Sequence, residues 1–331
     1  MENRKILVTG GLGFIGHNVV RRLLDLGHDV SITDIQTNYG LIPQEELDYL
    51  MQERRSKIPE MDLRTHRIDI ADHLGIDWLV KHYRPDTIIH LASFPRQKVV
   101  NLNPMMGSRA MSEGLLNLLE AAKNNHTYKF LYISSSMVYG DFIDLVNEDA
   151  QCQPKGQYGI MKLAGEWLVR DYSRRGCFDH VILRPSAVYG ELDVEDRVVS
   201  KFLLSAMRDE TLKVNGATET LDFTYVDDVA DGIVAAALSP KAKNNTYNIT
   251  KGRSRSLLDA ANLAVHLIGG GHTQVRDKDV NFPSRGALNI DRARGDFHFD
   301  PKIDIEEGFR RYHNWLASSQ YWNKKINAFT D

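Results

Sequence analysis

The chain of 331 residues has little cysteine, almost no excess of either charge and no long hydrophobic run. Its two cysteines cannot build a disulfide framework, so we expect a reduced compartment and predict a cytoplasmic protein. The 41 basic and 44 acidic residues give a net charge of −3, which predicts neither a nucleic-acid partner nor an anionic membrane partner. No segment reaches the roughly 18 apolar residues of a membrane span, and the charged first residues lack the apolar core of a secretion signal. Spacings typical of metal ligands are also missing, so we predict no metal.

Short apolar and β-branched runs alternate with amphipathic, helix-length segments from Lys5 to about Arg184. Several of these runs are apolar throughout, as expected for strands buried on both faces. The alternation therefore predicts an α/β fold with a doubly wound parallel sheet. The predicted strands comprise residues 6–8, 30–32, 67–68, 87–89, 130–133 and 181–183.

A glycine-rich turn follows the first predicted strand and opens the first predicted helix, with the sequence Thr9-Gly-Gly-Leu-Gly-Phe-Ile-Gly16. Such a turn brings backbone N–H groups at a helix N-terminus close to a pyrophosphate. Asp34 ends the second strand, where a carboxylate binds the adenosine ribose and repels a 2′-phosphate, which favours NAD over NADP. Asp69, after the third strand, is expected to bind the adenine amine. The predicted cofactor site comprises Gly10, Gly13, Phe14, Ile15, Gly16, Asp34, Asp69, Ile70, Leu91 and Ala92, together with Tyr158 and Lys162.

Tyr158 and Lys162 are spaced to lie on one face of a helix, one turn apart. A free tyrosine titrates near ~10 and is a poor base at neutral pH. We expect the ammonium of Lys162, together with a positive nicotinamide ring, to lower the pKa of Tyr158 and favour phenolate. Three serines, Ser134 to Ser136, end the fifth predicted strand, where a hydroxyl can reach a ligand; at least one of the three is expected to be structural.

At these residues the chain resembles the extended short-chain dehydrogenase/reductase superfamily, and within it the NAD-dependent epimerase/dehydratase family acting on nucleotide sugars. The resemblance covers nearly the whole chain and implies a Rossmann domain with a smaller lobe that caps the substrate. The successive motifs are Thr9 to Gly16, His90-Leu-Ala92, Ser134 to Gly140, Tyr158-x-x-x-Lys162, Leu183-Arg-Pro185 with Val188-Tyr-Gly190, and Asp222 to Asp228.

The resemblance also implies roles. Tyr158 is the acid/base, Lys162 holds the cofactor ribose and tunes Tyr158, and Ser135 binds the substrate hydroxyl. In this family a sugar hydroxyl loses its proton while its carbon gives a hydride to NAD⁺; in epimerases the keto-sugar turns over and takes the hydride back. A homodimer built by helices at 111–123 and 158–172 is implied as well.

Departures from the family pattern narrow these expectations. Ser136 and Met137 stand where the dehydratase branch carries Asp and Glu, and a thioether is neither acid nor base, so dehydration is disfavoured. Ala187 and Leu221 replace residues that usually contact the diphosphate, and we predict that Arg197 and Arg285 supply this contact. The predicted substrate-binding residues are Ser93, Ser135, Ser136, Arg197 and Arg285. Arg96 and Lys98 follow the fourth strand in a segment expected to line the sugar pocket. Contact with a phosphate or an acidic sugar is open to both, and a solvated role is favoured.

These patterns predict a dinucleotide-binding domain at 1–186, rejoined by about 222–250, and a substrate-binding lobe at 187–221 and 251–317. In that lobe we predict helices at 196–208 and around Leu257 and Ile305, with strands at 212–214 and 221–223; a helix at 226–238 belongs to the rejoining segment. The last residues, 318–331, read as a loose tail or as an intermolecular contact, and the sequence leaves both open. A charged helix pattern at 44–57, inside an insertion, predicts a solvated helix face.

The leading hypothesis is an NAD-dependent nucleotide-sugar epimerase acting at C4, with a nucleotide-diphosphate sugar as substrate. A 4-dehydrogenase that releases the keto-sugar is the alternative. A regulatory protein that binds the dinucleotide without turnover is less favoured, because Tyr158 and Lys162 are both present. The sequence identifies neither the nucleotide nor the sugar.

Overall fold

The computed structural model describes residues 3–40, 42–280 and 282–328. The strands of this part of the chain are β1 (Lys5–Thr9), β2 (Asp29–Thr33), β3 (Thr65–His66), β4 (Thr87–His90), β5 (Lys129–Ile133), β6 (Asp179–Arg184), β7 (Val188–Tyr189), β8 (Thr211–Asn215), β9 (Thr220–Leu221), β10 (Thr224–Tyr225), β11 (Asn245–Asn248), β12 (Arg255–Ser256) and β13 (His272–Arg276). The α-helices are α1 (Gly16–Asp25), α2 (Gln44–Ser56), α3 (Met61–Arg64), α4 (His73–Tyr83), α5 (Gln97–Leu102), α6 (Pro104–Ser108), α7 (Gly114–Asn124), α8 (Gly156–Arg174), α9 (Val198–Met207), α10 (Val226–Leu238), α11 (Leu257–Ile268), α12 (Asp291–Phe297), α13 (Ile305–Ser318) and α14 (Gln320–Asn327).

Seven of the described strands form one parallel sheet in the order β3-β2-β1-β4-β5-β6-β11. Successive residues of β1 enter different apolar clusters: Ile6 and Val8 pack on one face of the sheet, with α1 and α10, and Leu7 packs on the other, with α4 and α7. Burial on both faces explains why this strand is apolar throughout. The predicted doubly wound parallel sheet is confirmed.

A second apolar cluster lies outside the large sheet and joins α9, α11, α13 and α14 around Phe202, Phe309 and Trp322. Three two-stranded sheets of the described residues accompany it: β7 with β10 and β8 with β13, both parallel, and β9 with β12, antiparallel. In contrast, α10 packs against α1, and β11 pairs with β6, so the segment predicted to rejoin the first domain lies on the large sheet. On this basis we propose the domain boundaries given by the sequence.

Two predicted strands are wrong in their limits. The third strand is Thr65–His66 instead of 67–68, because β2 ends at Thr33, whose hydroxyl donates to the carbonyl of Ile68 beyond the ladder. Of the strand predicted at 221–223, only Leu221 lies in a strand, β9, and β10 begins after the predicted strand, at Thr224. Its central residue, Asp222, leaves the ladder because its carboxylate accepts N–H bonds from Gly252 and Leu288.

Two surface predictions are wrong as well. Residues 320–327 are no loose tail: they form α14, whose Trp322 is buried in the smaller lobe, while 329–331 lie outside the described residues. The charged pattern at 44–57 does form a helix, α2, but its Glu46 and Arg54 are buried instead of solvated. Both side chains find polar partners inside the protein, which the local sequence does not show.

Candidate active site

A cavity of about 1540 Å³ lies at the carboxyl ends of β1, β2, β4, β5 and β6 and is lined on its other side by the smaller lobe. Every residue predicted above to bind cofactor or substrate lines it. Typical small-molecule pockets hold roughly 300–1,000 Å³, so this cavity has room for more than one ligand.

The glycine-rich turn packs tightly at one end of this cavity. Gly10 has φ 70°, and a Cβ there would lie 2.7 Å from the amide nitrogen of Ala92. A Cβ on Gly16, where α1 begins, would lie 2.1 Å from the carbonyl oxygen of Gly10. Because side chains are excluded at both positions, the N-terminus of α1 borders the cavity, and the turn fits the pyrophosphate of a dinucleotide.

The two carboxylates predicted to contact adenosine also line the cavity. Asp34 accepts backbone N–H bonds from Leu12 at 3.0 Å and Gln36 at 2.8 Å. Burial raises the pKa of Asp34, and these two bonds oppose the rise. Asp69 accepts one bond from the N–H of Ala71 at 2.9 Å. Since a carboxylate has about four acceptor positions, both can accept further bonds from a ligand.

The predicted catalytic residues meet where α8 begins, next to the end of β5. Tyr158 is half-buried, and the side chain of Ser135 is one of the groups that act to lower its pKa. The ammonium of Lys162 donates to the carbonyl of Ile133 at 2.8 Å and lies 5.9 Å from the centre of the Tyr158 ring. The hydroxyl oxygen of Ser135 also accepts the N–H of Met137, which fixes the position of the serine.

The surroundings of Tyr158 within the chain raise its pKa. Burial raises it, and the groups that oppose this rise are Arg197, the side chain of Ser135, and Arg285. Burial also lowers the pKa of Lys162 to about 7, against the attraction of Glu166. The surroundings given by the chain alone therefore favour a protonated phenol, and the lowering expected from Lys162 together with a nicotinamide ring stays a prediction.

The structure separates the three adjacent serines. Ser134 donates to Glu166 at 2.6 Å, and Ser136 donates to the hydroxyl of Ser186 at 3.0 Å. Ser135 is the one of the three whose side chain acts on the pKa of Tyr158. The prediction that at least one of the three is structural holds for Ser134, whose hydroxyl is bound within a buried ionic network.

Two arginines face the cavity from different segments of the smaller lobe. Arg197 immediately precedes α9, and its Nε lies 3.4 Å from a carboxylate oxygen of Asp193. Arg285 has a buried Nε without a hydrogen-bond partner among the described residues. Burial lowers the pKa of Arg285 to about 10, and repulsion from Arg197 acts in the same direction. An anionic ligand between the two guanidiniums would compensate both charges.

Arg96 has a different role from the favoured one, whereas Lys98 keeps a half-exposed side chain, as favoured. Both pair with Asp196, Arg96 at 3.1 Å and Lys98 at 2.9 Å. The side chain of Arg96 is only 19% exposed and also donates to the carbonyl of Asp196, so it joins the loop after β4 to the smaller lobe instead of being solvated. The predicted contribution of this segment to the cavity lining is confirmed by its position.

Sequence reasoning missed three further cavity residues, Tyr39, Arg54 and Asp193. Tyr39 extends from the insertion to Phe94, with ring centres 4.7 Å apart. Arg54 shares a helix face with Glu46, and this spacing is a signal that could have indicated burial. Asp193 stands four residues before its partner Arg197, and this acidic–basic spacing is a signal that could have indicated the pair.

Among the described residues, no group of three or more His, Cys, Asp or Glu side chains is placed to hold a metal ion. None of the described helices combines the length and the apolar character needed to cross a membrane.

Comparison with known proteins identifies the family. The model of the NAD dependent epimerase/dehydratase family matches residues 6–250. An uncharacterized UDP-glucose epimerase of Bacillus subtilis, YtcB, is 30% identical over 95% of this chain and 98% of its own. A UDP-glucuronate 4-epimerase of Thermodesulfobacterium geofontis is 27% identical over 97% of this chain and 99% of its own. The crystal structure of UDP-glucuronic acid 4-epimerase from Bacillus cereus, in complex with UDP-glucuronic acid and NAD, matches with a TM-score of 0.84 and 28% identity over 94% of this chain and 98% of that one. The chain belongs to the NAD dependent epimerase/dehydratase family.

Proposed function

We propose that this member of the family is an NAD-dependent epimerase that inverts C4 of a UDP-linked sugar through a transient 4-keto sugar. The observation that carries the proposal is the meeting of Tyr158, Lys162 and Ser135 in one cavity with the glycine-rich turn and two arginines. Full-length relatives named for UDP-glucose and UDP-glucuronate support both the nucleotide and the carbon.

The cofactor is held by the residues that fit a dinucleotide. The turn from Gly10 to Gly16 binds the pyrophosphate, and Asp34 binds the adenosine ribose and favours NAD over NADP. Asp69 contacts the adenine, and Lys162 binds the second ribose. When bound, NAD⁺ would supply a reversible hydride acceptor for the C4 carbon of the sugar.

Proton transfer is assigned to Tyr158. Its phenolic oxygen accepts the proton of the C4 hydroxyl and later gives it back, while Ser135 orients that hydroxyl through its own. Because burial raises the pKa of Tyr158, formation of the phenolate depends on positive charge. Arg197 and Arg285 supply part of that charge, and Lys162 contributes through the ribose that it holds.

Substrate binding is assigned to the smaller lobe and to the loops after β4 and β5. Arg197 and Arg285 bind the diphosphate, in place of the side chains that the family usually carries at the positions of Ala187 and Leu221. Ser93 and Ser136 line the sugar end, where the hydroxyl oxygen of Ser136 still has an acceptor position.

We also propose a cytoplasmic homodimer. Both cysteines are free thiols, which supports a reducing compartment. On α7 and α8, the apolar side chains of Leu116, Ile160 and Trp167 are 38%, 53% and 58% exposed, and a second copy would cover them. Sedimentation equilibrium measures the assembly directly, and a monomer at all concentrations would contradict the dimer.

The test of the function is Tyr158→Phe, assayed with UDP-linked sugars by following the epimeric products. Loss of the acid/base should lower kcat by roughly 10²- to 10⁴-fold while NAD content stays unchanged. Tyr128→Phe, at an exposed tyrosine, is the matched control and should leave kcat unaltered. Unchanged turnover in Tyr158→Phe would contradict the mechanism. Net NADH formation by the wild-type protein would instead identify a 4-dehydrogenase.

A further inference from the structure

Helix α2 places two opposite charges inside the protein on one of its faces. Glu46, Leu50 and Arg54 recur every four residues and are 0%, 0% and 5% exposed. Four-residue spacing puts all three side chains on the same side of the helix. The buried face of α2 is therefore not purely apolar, and each charge on it needs a partner.

Both charges bind the backbone of the same short segment, Leu192 to Glu195. Arg54 donates from Nη2 to the carbonyl oxygen of Leu192 at 2.7 Å. Glu46 accepts the N–H of Glu195 at 2.7 Å. Leu192 has φ 67°, a conformation that a branched side chain adopts at a cost, so the hydrogen bond to its carbonyl helps to hold a strained turn.

The segment bound by Arg54 and Glu46 contains Asp193, the ion-pair partner of the proposed substrate-binding Arg197. Asp193 lies between the two fixed points, and its carboxylate pairs with Arg197. At its other nitrogen, Nη1, Arg54 donates to the carbonyl of Leu12 in the glycine-rich turn at 3.3 Å. One buried guanidinium therefore joins the proposed cofactor turn to the segment that orients Arg197.

The C-terminal helix, α14, contacts the buried Glu46 and the segment 192–195 as well. Lys325 of α14 pairs with Glu46 at 3.4 Å and with Glu195 at 2.5 Å. Apolar side chains would fill this space with a larger gain in stability, because the desolvation of buried charges offsets much of their mutual attraction. What the charges add over apolar residues is a fixed position for the backbone of 192–195.

We propose that Arg54, assisted by Glu46, is a positioning residue that sets Arg197 for the diphosphate of the substrate and couples that arginine to the cofactor turn. This inference rests on the proposed function, in which Arg197 binds the diphosphate. Neither Arg54 nor Glu46 takes part in the chemistry.

The first experiment measures the binding of UDP to the NAD-loaded protein by calorimetry, together with KM and kcat for the UDP-sugar. In Arg54→Met, the Kd for UDP and the KM should rise roughly 3- to 30-fold, with kcat nearly unchanged. Arg55→Met is the matched control, because Arg55 is the next residue of α2 and pairs at the surface with Asp62. The control should leave all three constants unaltered, and an equal Kd for UDP in Arg54→Met and wild type would overturn the proposal.

The second experiment separates positioning from a general loss of structure. If Arg54 acts through Arg197, Arg54→Met should weaken UDP binding in the wild-type background and add almost nothing in Arg197→Met. Additive losses would overturn the proposal. Should Arg54→Met fail to fold, Arg54→Lys takes its place in the same cycle, because an ammonium can serve only part of the two-carbonyl contact and should weaken UDP binding less. A wild-type protein that binds UDP but never turns over a UDP-sugar would contradict the proposed function and leave the coupling measurable.

Discussion

The charges of two arginines, the buried Arg184 and the half-buried Arg285, are compensated to different extents within the chain. Arg184 lies beneath α8 with a side chain 2% exposed and binds Glu166 through two nitrogens, at 2.8 Å and 2.6 Å. Burial acts to lower the pKa of Arg184, but the contacts with Glu166 outweigh it and raise the pKa. Arg285, facing the cavity, has no such carboxylate partner within the described part of the chain, and burial lowers its pKa to about 10. Folding alone compensates the charge of Arg184, whereas the attraction of Tyr158 and Glu219 does not offset the burial of Arg285.

The difference separates stability from binding within one active site. Glu166 also accepts a hydrogen bond from the hydroxyl of Ser134. The Arg184–Glu166 pair therefore connects β5, β6 and α8 beneath the catalytic residues. Arg285 is instead kept in place by its backbone, whose carbonyl accepts the hydroxyl of Thr220. Removing a charge should therefore lower the free energy of unfolding in the first region and the affinity for substrate in the second.

The largest expected effect is that of Glu166→Gln. The substitution leaves Arg184 buried without its carboxylate, and breaking a buried pair in this way costs about 3–5 kcal/mol in the free energy of unfolding. Urea denaturation measures the loss. Glu113→Gln is the control, because Glu113 pairs with Arg109 at the surface and should change the free energy by about 1 kcal/mol at most. A loss in Glu166→Gln no larger than in the control would remove the distinction between the two arginines.

The next effect is that of Arg285→Met, measured as the Kd for UDP and as the free energy of unfolding without ligand. Loss of a charge-assisted hydrogen bond to phosphate costs about 1.5–3 kcal/mol, so the Kd should rise roughly 10- to 100-fold. Because an uncompensated charge is removed, unfolding should require at least as much free energy as in the wild type. Arg294→Met, at a surface ion pair with Asp291, should change neither quantity. A marked destabilisation of Arg285→Met would mean that its charge is compensated within the chain.

The sequence predicted what depends on local periodicity. The limits of α10 agree with the predicted helix, and β1 and β5 differ from their predictions by a residue or two, because burial on one helix face or on both strand faces leaves a regular pattern. Glycine positions and the Tyr158–Lys162 spacing likewise led to residues that line the cavity.

What the sequence could not predict depends on contacts between distant residues. The roles of Ser134 and Ser136 follow from Glu166 and Ser186, and the burial of Arg54 follows from a carbonyl 138 residues away. The difference between Arg184 and Arg285 is of the same kind, since each is an arginine in a motif until its surroundings in the folded chain are known. Sequence patterns thus predicted where the site lies, whereas the pairing of its charges can be seen only in the folded structure.

The smallest expected effect is a dependence on pH that only one of the two regions should show. Burial acts to raise the pKa of Glu166, but Arg184 and Ser134 outweigh it, so the folded-state pKa lies below the ordinary value of 4.5. The stability from this carboxylate is therefore complete above about pH 4.5 and is lost as the pH falls through the folded-state pKa. The gap in unfolding free energy between wild type and Glu166→Gln should be constant from pH 7 to about 5 and then narrow. The gap for Arg285→Met should stay level over the same range, because a guanidinium does not titrate there. Two results would contradict the view that Arg184 keeps this carboxylate charged. One is a difference in unfolding free energy between wild type and Glu166→Gln that is undiminished at pH 3, and the other is a difference that disappears already near neutral pH.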